Sequence, residues 1–246
     1  MIEFLRLDPA ATVLEIGAGG GVLTRELLAV GPRVIAVELD PAWAFRLARE
    51  LAVPIPAEGS ASREPPRVVE VVADALGLDW ASLPAGWRVA GNLPYNVGTA
   101  VVERFCRAAR AGTLAGFLLQ REVVDRMVAG PGDEAYGPLS VLVAIRARAV
   151  RLGRVKPGAF VPPPDVESAF VGLETREPPL PIGELAAFEA VVRAGFGQRR
   201  KSLRNALGAA WGRAEAERRL RIAGIDPGRR AETLSFDDFL AIHRAG

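Results

Sequence analysis

A carboxamide, a fixed turn and an aromatic ring fall within four residues at Asn92-Leu93-Pro94-Tyr95. The Asn92 side-chain oxygen can accept hydrogen bonds from an NH₂ group. Pro94 has a locked φ and no N–H, so it holds the neighbouring carbonyls in place. Tyr95 offers a face to a flat heteroaromatic ring. Together these suit the exocyclic amine of a base taken out of its stack. The same residues also describe an ordinary strand-to-loop turn with a packing Tyr, so the rest of the chain must decide. Three other places carry chemistry. Gly17-Ala18-Gly19-Gly20-Gly21 can let backbone N–H groups approach a ligand with no Cβ in the way. Glu38 lies about 20 residues further on, the spacing at which an acid accepts both hydroxyls of a ribose. Asp74 can accept from the amino group of an adenine, or simply cap a helix.

The elements that position these groups follow from hydrophobic periodicity. Strands are predicted at Val13–Ile16, Arg33–Val37, Val68–Val72 and Trp87–Ala90. Each of the four candidate sites falls at the C-terminal end of one of them. In open α/β sheets that edge is where ligands bind. Helices are predicted after the glycines, from Pro41 to about Leu51, over Thr99–Arg110 and over Glu122–Val128. Further strands are predicted at Ala115–Leu119, Ala149–Val155 and Ser168–Leu173. Residues 1–10 read as a lead-in and 53–66, with four prolines, as a surface loop. Phe160, in the stiff loop Phe160-Val161-Pro162-Pro163-Pro164-Asp165, is either packing or a second wall for a base pocket. The glycine loop lacks the Gly-x-Gly-x-x-Gly spacing of nicotinamide enzymes, which points to a nucleoside without a pyrophosphate.

The proline-rich stretch from Glu177 to Pro181 reads as a linker. Beyond it the periodicity is helical only, over Leu185–Phe196, Lys201–Ala210, Ala214–Ala223 and Phe236–His243. The expected division is an α/β domain at 1–177 and a small all-helical domain at 178–246.

Composition bounds the rest. Half the residues are hydrophobic and 24% are charged, as in an ordinary globular protein. No apolar run approaches a membrane span, and Met1-Ile2-Glu3-Phe4 is unlike a signal peptide. A single cysteine, Cys106, rules out an internal disulfide and points to a reducing cytoplasm. One cysteine and one histidine, His243, exclude a Cys/His zinc site. From residue 179 onward there are 12 Arg/Lys against 8 Asp/Glu, while residues 1–178 carry 19 against 21. Two runs are free of acids: Arg146, Arg148, Arg151, Arg154, Lys156, and Arg193, Arg199, Arg200, Lys201, Arg204. Adjacent basic runs point to a polyanion, although a single one is more often a solvated face.

Taken together, the motifs resemble those of the ribosomal RNA adenine dimethyltransferases of the KsgA type. The marks are Glu15-Ile16-Gly17-Ala18-Gly19, Val37-Glu38-Leu39-Asp40, Asp74-Ala75, Asn92-Leu93-Pro94-Tyr95, Gln120-Arg121-Glu122-Val123-Val124, Ala129-Gly130-Pro131 with Ala135-Tyr136-Gly137, Phe160-Val161-Pro162-Pro163-Pro164, and Gln198 through Asn205. They run over nearly the whole chain. The resemblance implies a class I methyltransferase fold, a Rossmann-like seven-stranded sheet with a helical C-terminal domain. It implies S-adenosylmethionine as methyl donor, S-adenosylhomocysteine as product and no metal. The implied substrate is N6 of two adjacent adenosines near the 3′ end of small-subunit rRNA, in the immature small subunit, with the enzyme a cytoplasmic monomer. By the same resemblance Glu15, Gly17, Ala18, Gly19, Glu38, Leu39, Asp74, Ala75 and Asn92 contact the cofactor. Asn92, Pro94 and Tyr95 hold the target base. Phe160, Arg154, Arg199, Arg200, Lys201 and Arg204 are the further candidates for RNA contact.

The chain departs from the family pattern in three places, one of them a loop at 53–66 that is longer than usual. Family members usually carry an upstream segment with a Gly-Gln-Asn-Phe-Leu-like motif that closes over the cofactor, and this chain is expected to begin after it. Ala18 stands where the family often has Pro. Two rival readings keep a place: a large-subunit rRNA adenine methyltransferase, against which Leu93 and Gln198–Asn205 speak, and a non-catalytic rRNA-binding assembly factor. A nicotinamide dehydrogenase explains the glycines but not Asn92–Tyr95.

Overall fold

The computed structural model describes residues 1–51, 67–160, 162–198 and 200–246. The predicted 53–66 loop and the sites at Val161 and Arg199 lie outside them.

Seven strands form one sheet: β1 (Thr12–Ile16), β2 (Arg33–Glu38), β3 (Val68–Val72), β4 (Arg88–Asn92), β5 (Leu114–Gln120), β6 (Ala147–Val155) and β7 (Ser168–Thr175). Their order across the sheet is β3-β2-β1-β4-β5-β7-β6. The pairs from β3 to β5 are parallel, and β7 runs antiparallel to β5. The chain leaves the β3 edge and re-enters the sheet at β4, on the far side of β1. A crevice at such a switch point opens at the strands' carboxyl ends. Ile16 stands opposite Gly91, so the glycine loop and Asn92 emerge side by side. Parallel strands buried on both faces need continuous apolar runs, and Val13, Val34, Val89 and Ala115 are fully buried.

The helices are α1 (Ile2–Leu5), α2 (Val22–Val30), α3 (Pro41–Leu51), α4 (Gly98–Ala108), α5 (Arg121–Val128), α6 (Pro138–Ala144), α7 (Leu185–Phe196), α8 (Leu203–Trp211), α9 (Arg213–Ile222) and α10 (Phe236–Arg244). The predicted lead-in is therefore partly helical. Its Phe4 rests where a Cβ on Gly172 would lie, and its Met1 where one on Gly116 would. Two glycines on neighbouring strands thus make the seat for α1, a pairing that periodicity does not reveal. On β4 and β5 the core is closed by Trp80, Phe105 and Phe117, edge to face at 5.6 and 5.8 Å.

The chain divides into two compact units, residues 1–124 with 150–176, and 125–149 with 177–246. The sequence reading put 125–149 with the sheet. In the structure Tyr136, Val141 and Ile145 are buried with Phe188, Leu203, Leu220 and Phe239, which makes the segment part of the helical unit's core. Within that unit α10 opens on a reciprocal cap. Ser235 Oγ accepts from Asp238 N at 3.1 Å, and Asp238 Oδ2 accepts from Ser235 N at 2.9 Å.

Candidate active site

A cavity of about 680 Å³ opens at the carboxyl ends of β1, β4 and β5. Glu15, Gly17, Ala18, Gly19 and Asn92 line it, and Phe160 closes another side. The β-ladder explains the convergence. Asn92 pairs with Leu118 and Leu118 with Phe170, so one rung across three strands presents all three residues to the cavity. Leu118 and Phe170 were not singled out from sequence. The aromatic at Phe170, two residues into a predicted strand, was the available signal.

Gly17 has φ +70°, a conformation an L side chain seldom adopts, and its N–H donates to Val37 O at 2.8 Å. A Cβ there would stand 3.6 Å from the Asn92 carbonyl. The loop is tied to β2 a second time. Glu38 Oε2 accepts from Gly19 N at 2.8 Å, and Glu38 Oε1 accepts from Asp40 N at 3.0 Å. Each oxygen keeps lone-pair capacity for another donor.

Glu15 is the unusual group. It is 1% exposed, and neither carboxyl oxygen has a hydrogen-bond partner among the described residues. Burial pushes its pKa up to about 7, and the neighbouring Glu38 charge adds to the rise. Thr24, fully buried on α2, lies beside it and pulls the other way more than the Glu38 charge adds, although its hydroxyl completes no hydrogen bond among the described residues. A buried carboxyl left unpaired at a cavity wall is costly unless a donor arrives.

Asp74 and Ala75 stand at the end of β3 and are not among the cavity-lining residues. Asp74 Oδ1 caps a short 3₁₀ turn by accepting from Leu76 N at 2.8 Å. The capping role weighed from sequence is therefore present, and the second oxygen carries no bond among the described residues. Leu39 is 66% exposed. Asn92, Pro94 and Tyr95 are all exposed, and of the three Asn92 is among the residues that line the cavity. The Pro94 carbonyl is consumed by the turn into α4, accepting from Val97 N at 3.2 Å and Gly98 N at 2.8 Å. Tyr95 Oη lies 2.7 Å from Ser168 Oγ.

The basic runs divide. Arg154, Arg200 and Lys201 are exposed. Arg146 is 7% exposed, so it is no part of a solvated basic face. Arg204 is half-buried with its Nε 3.1 Å from Glu217 Oε1, so its charge is already partly met within the helical unit.

A family model described as ribosomal RNA adenine dimethylase matches residues 1–245. The chain is 42% identical over 247 residues to a ribosomal RNA small subunit methyltransferase A of Anaeromyxobacter dehalogenans, covering 95% of this chain and 82% of that protein. It is 40% identical over 237 residues to the protein of that name from Syntrophotalea carbinolica, covering 95% and 85%. Among solved structures it is similar to the 23S rRNA methyltransferase ErmE, with TM-score 0.70 and 26% identity over 99% of this chain and 93% of that one. A dimethyladenosine transferase from Plasmodium falciparum shares the fold, with TM-score 0.71 and 20% identity over 98% and 91%.

Proposed function

The chain belongs to the ribosomal RNA adenine dimethylase family, and from that premise we propose that it dimethylates N6 of two adjacent adenosines near the 3′ end of small-subunit rRNA. Its fold is the class I methyltransferase sheet with a helical C-terminal region. On this reading the methyl donor is S-adenosylmethionine and the substrate is the immature small subunit in the cytoplasm.

The observation that carries the reading is the unpaired, buried Glu15 carboxyl on the same cavity as Asn92. S-adenosylmethionine has an ammonium group, a ribose diol and an adenine. Glu15 is the acceptor for the ammonium, and the backbone around Gly17 and Gly19 leaves room for the methionine moiety. Glu38 offers its remaining lone pairs to the ribose, beside the bonds it makes to Gly19 and Asp40. Leu39 and Ala75 flank the adenine, and the uncapped oxygen of Asp74 accepts from its amine. Bound there, the sulfonium supplies a methyl group that needs no further activation.

The protein's own part is to present the acceptor nitrogen. Its lone pair is delocalised into the adenine ring, so it is a poor nucleophile. Asn92 Oδ1 accepts one of its N–H bonds. The Pro94 carbonyl is taken by α4, which leaves the Leu93 carbonyl to accept the other. Two acceptors hold the amine pyramidal, with its lone pair turned toward the cavity, and this interaction strengthens as the nitrogen gains positive charge. Orientation of this kind can supply several of the roughly 7–11 kcal/mol available from proximity. Tyr95 and Phe160 cover the faces of the base, which recovers about 1–3 kcal/mol of the cost of flipping it. The proton lost after transfer goes to water. Arg154, Arg200 and Lys201 meet phosphates.

The test is mass-spectrometric mapping of methylated adenosines after incubating the protein and donor with small and large subunits from cells lacking these modifications. Two adjacent dimethyladenosines near the 3′ end are expected. Modification of large-subunit rRNA alone would replace the substrate, and binding without transfer would make the protein an assembly factor. Relatives at 40–42% identity bear the small-subunit name, while ErmE, a 23S enzyme, stands at 26%.

A further inference from the structure

We propose that Ser168 is a positioning residue for methyl transfer, holding the Tyr95 ring where the flipped base must stack. The inference rests on the reading above and adds to it a residue outside every motif of the site.

Tyr95 is held at both ends. Its Cα sits in the turn after Pro94, whose carbonyl accepts from Val97 and Gly98 N–H. Its phenol oxygen is 2.7 Å from Ser168 Oγ. Between these anchors the residue remains 36% exposed, three positions after Asn92, which lines the cavity. Ser168 is itself immobile. It is 0% exposed, opens β7 and pairs in register with Gln120 of β5. The residue before it is fixed twice to the start of α5. Glu167 O accepts from Arg121 N at 2.8 Å, and Arg121 Nε lies 3.4 Å from the Glu167 carboxylate. A buried hydroxyl with one partner keeps that partner close, because water cannot replace it. A Tyr without this anchor is free to swing about χ1 between staggered wells and must be ordered each time a base docks.

The bond also joins the β4 exit, which follows the cavity-lining Asn92, to the strand that carries the cavity-lining Phe170. Ser168 follows the loop that begins at Phe160, and Phe170, two residues on, lines the cavity with Phe160. Tyr95 belongs to the β4 exit. A hydrogen bond spanning 73 residues of sequence therefore sets the spacing of the surfaces between which the base sits.

Steady-state methylation of small subunits by the full chain tests this, using Ser168→Ala, Tyr95→Phe, the double variant and Ser168→Thr, with S-adenosylmethionine affinity measured by calorimetry on each. Ser168→Ala is expected to raise KM for the RNA about tenfold, the loss of one hydrogen bond's worth of ordering. Its cofactor affinity should stay within about twofold of the wild type. Tyr95→Phe should match it, and the double variant should be no worse than either alone, because all three break the same bond. Ser168→Thr, which keeps a hydroxyl, should recover most of the loss. Ser168→Ala at wild-type KM, losses that multiply in the double variant, or a parallel fall in cofactor affinity would each overturn the role. Absence of transfer by the wild type would overturn the enzymatic reading itself, a result distinct from transfer by both wild type and Ser168→Ala.

Discussion

The two units differ in how they treat their most deeply buried polar side chains. In the helical unit charges close on one another. Glu215 accepts from Arg218 at 2.7 and 2.8 Å and from Arg219 at 2.6 Å, and Arg219 lies over Trp211 at 4.5 Å. His243 Nε2 meets Glu184 at 3.0 Å, and the buried Tyr136 hydroxyl donates to Leu234 O at 2.8 Å. In the sheet unit the deepest carboxyl, Glu15, has no hydrogen-bond partner among the described residues, and neither does the Thr24 hydroxyl beside it. A unit that buries an unpaired carboxyl stores a cost that a ligand can relieve. On the proposed function, the chemistry belongs to the sheet's edge and the helical unit serves as surface.

Substitutions on each side should break or sharpen this contrast. The largest effect is expected at Asn92→Ala, which removes an acceptor that strengthens toward the transition state. It should lower kcat by about 10³-fold while S-adenosylmethionine affinity changes little. Single-turnover kinetics beside calorimetry check this, and equal loss of both would remove Asn92 from the chemistry.

Glu15 comes next. Its folded pKa, about 7, lies above the ordinary 4.5. Between those values the native protein keeps a proton that the unfolded chain has lost. Stability of the empty protein therefore falls as pH rises through that window, by roughly 3 kcal/mol in all, and is level above it. Glu15→Gln should flatten the dependence in thermal unfolding followed from pH 4.5 to pH 8. An ammonium bound at Glu15 favours the ionised form, so cofactor binding by the wild type should release a proton at pH 6 or below. Calorimetry in buffers of different ionisation enthalpy reads that release, and Glu15→Gln should abolish it.

On the helical side Tyr136→Phe should cost about 1–2 kcal/mol, since the Leu234 carbonyl loses its donor inside the core. The Tyr136 phenol is pushed up to about 12 by burial and the nearby Asp238 charge, so it stays protonated throughout the working range. Denaturant unfolding gives the loss, and cofactor binding should be unaffected. If cofactor affinity falls as well, the division of labour fails. The smallest effect is expected from Arg200→Ala with Lys201→Ala. Binding to small-subunit RNA should weaken modestly, and the slope of log affinity against log salt should fall by about 1 to 2. An unchanged slope would take these residues off the phosphate backbone.

What was legible in the sequence was local. Strand β1 with its glycine turn, β2 ending in Glu38, and β4 ending in Asn92 each show within a dozen residues, because alternation, glycine and proline act on the chain nearby. The positions of Gly17, Glu38, Asp74 and Asn92 at successive strand ends followed from that alone. The seat of α1 did not, because it depends on Gly116 and Gly172, more than a hundred residues beyond Met1 and Phe4. The membership of 125–149 in the helical unit did not either, since Tyr136 and Val141 become core only against residues from α7 onward.

The sequence by itself determined which side chains stand at the strand ends and, through the motifs of the whole chain, the family, because both depend on residue types and their spacing along the chain. Only the tertiary structure decided how the groups are charged and held. Burial left Glu15 without a partner, the turn into α4 took the Pro94 carbonyl, and antiparallel pairing of β7 with β5 brought Ser168 to Tyr95. Desolvation and long-range hydrogen bonding depend on what surrounds an atom in space, and that is set by which distant strands pair.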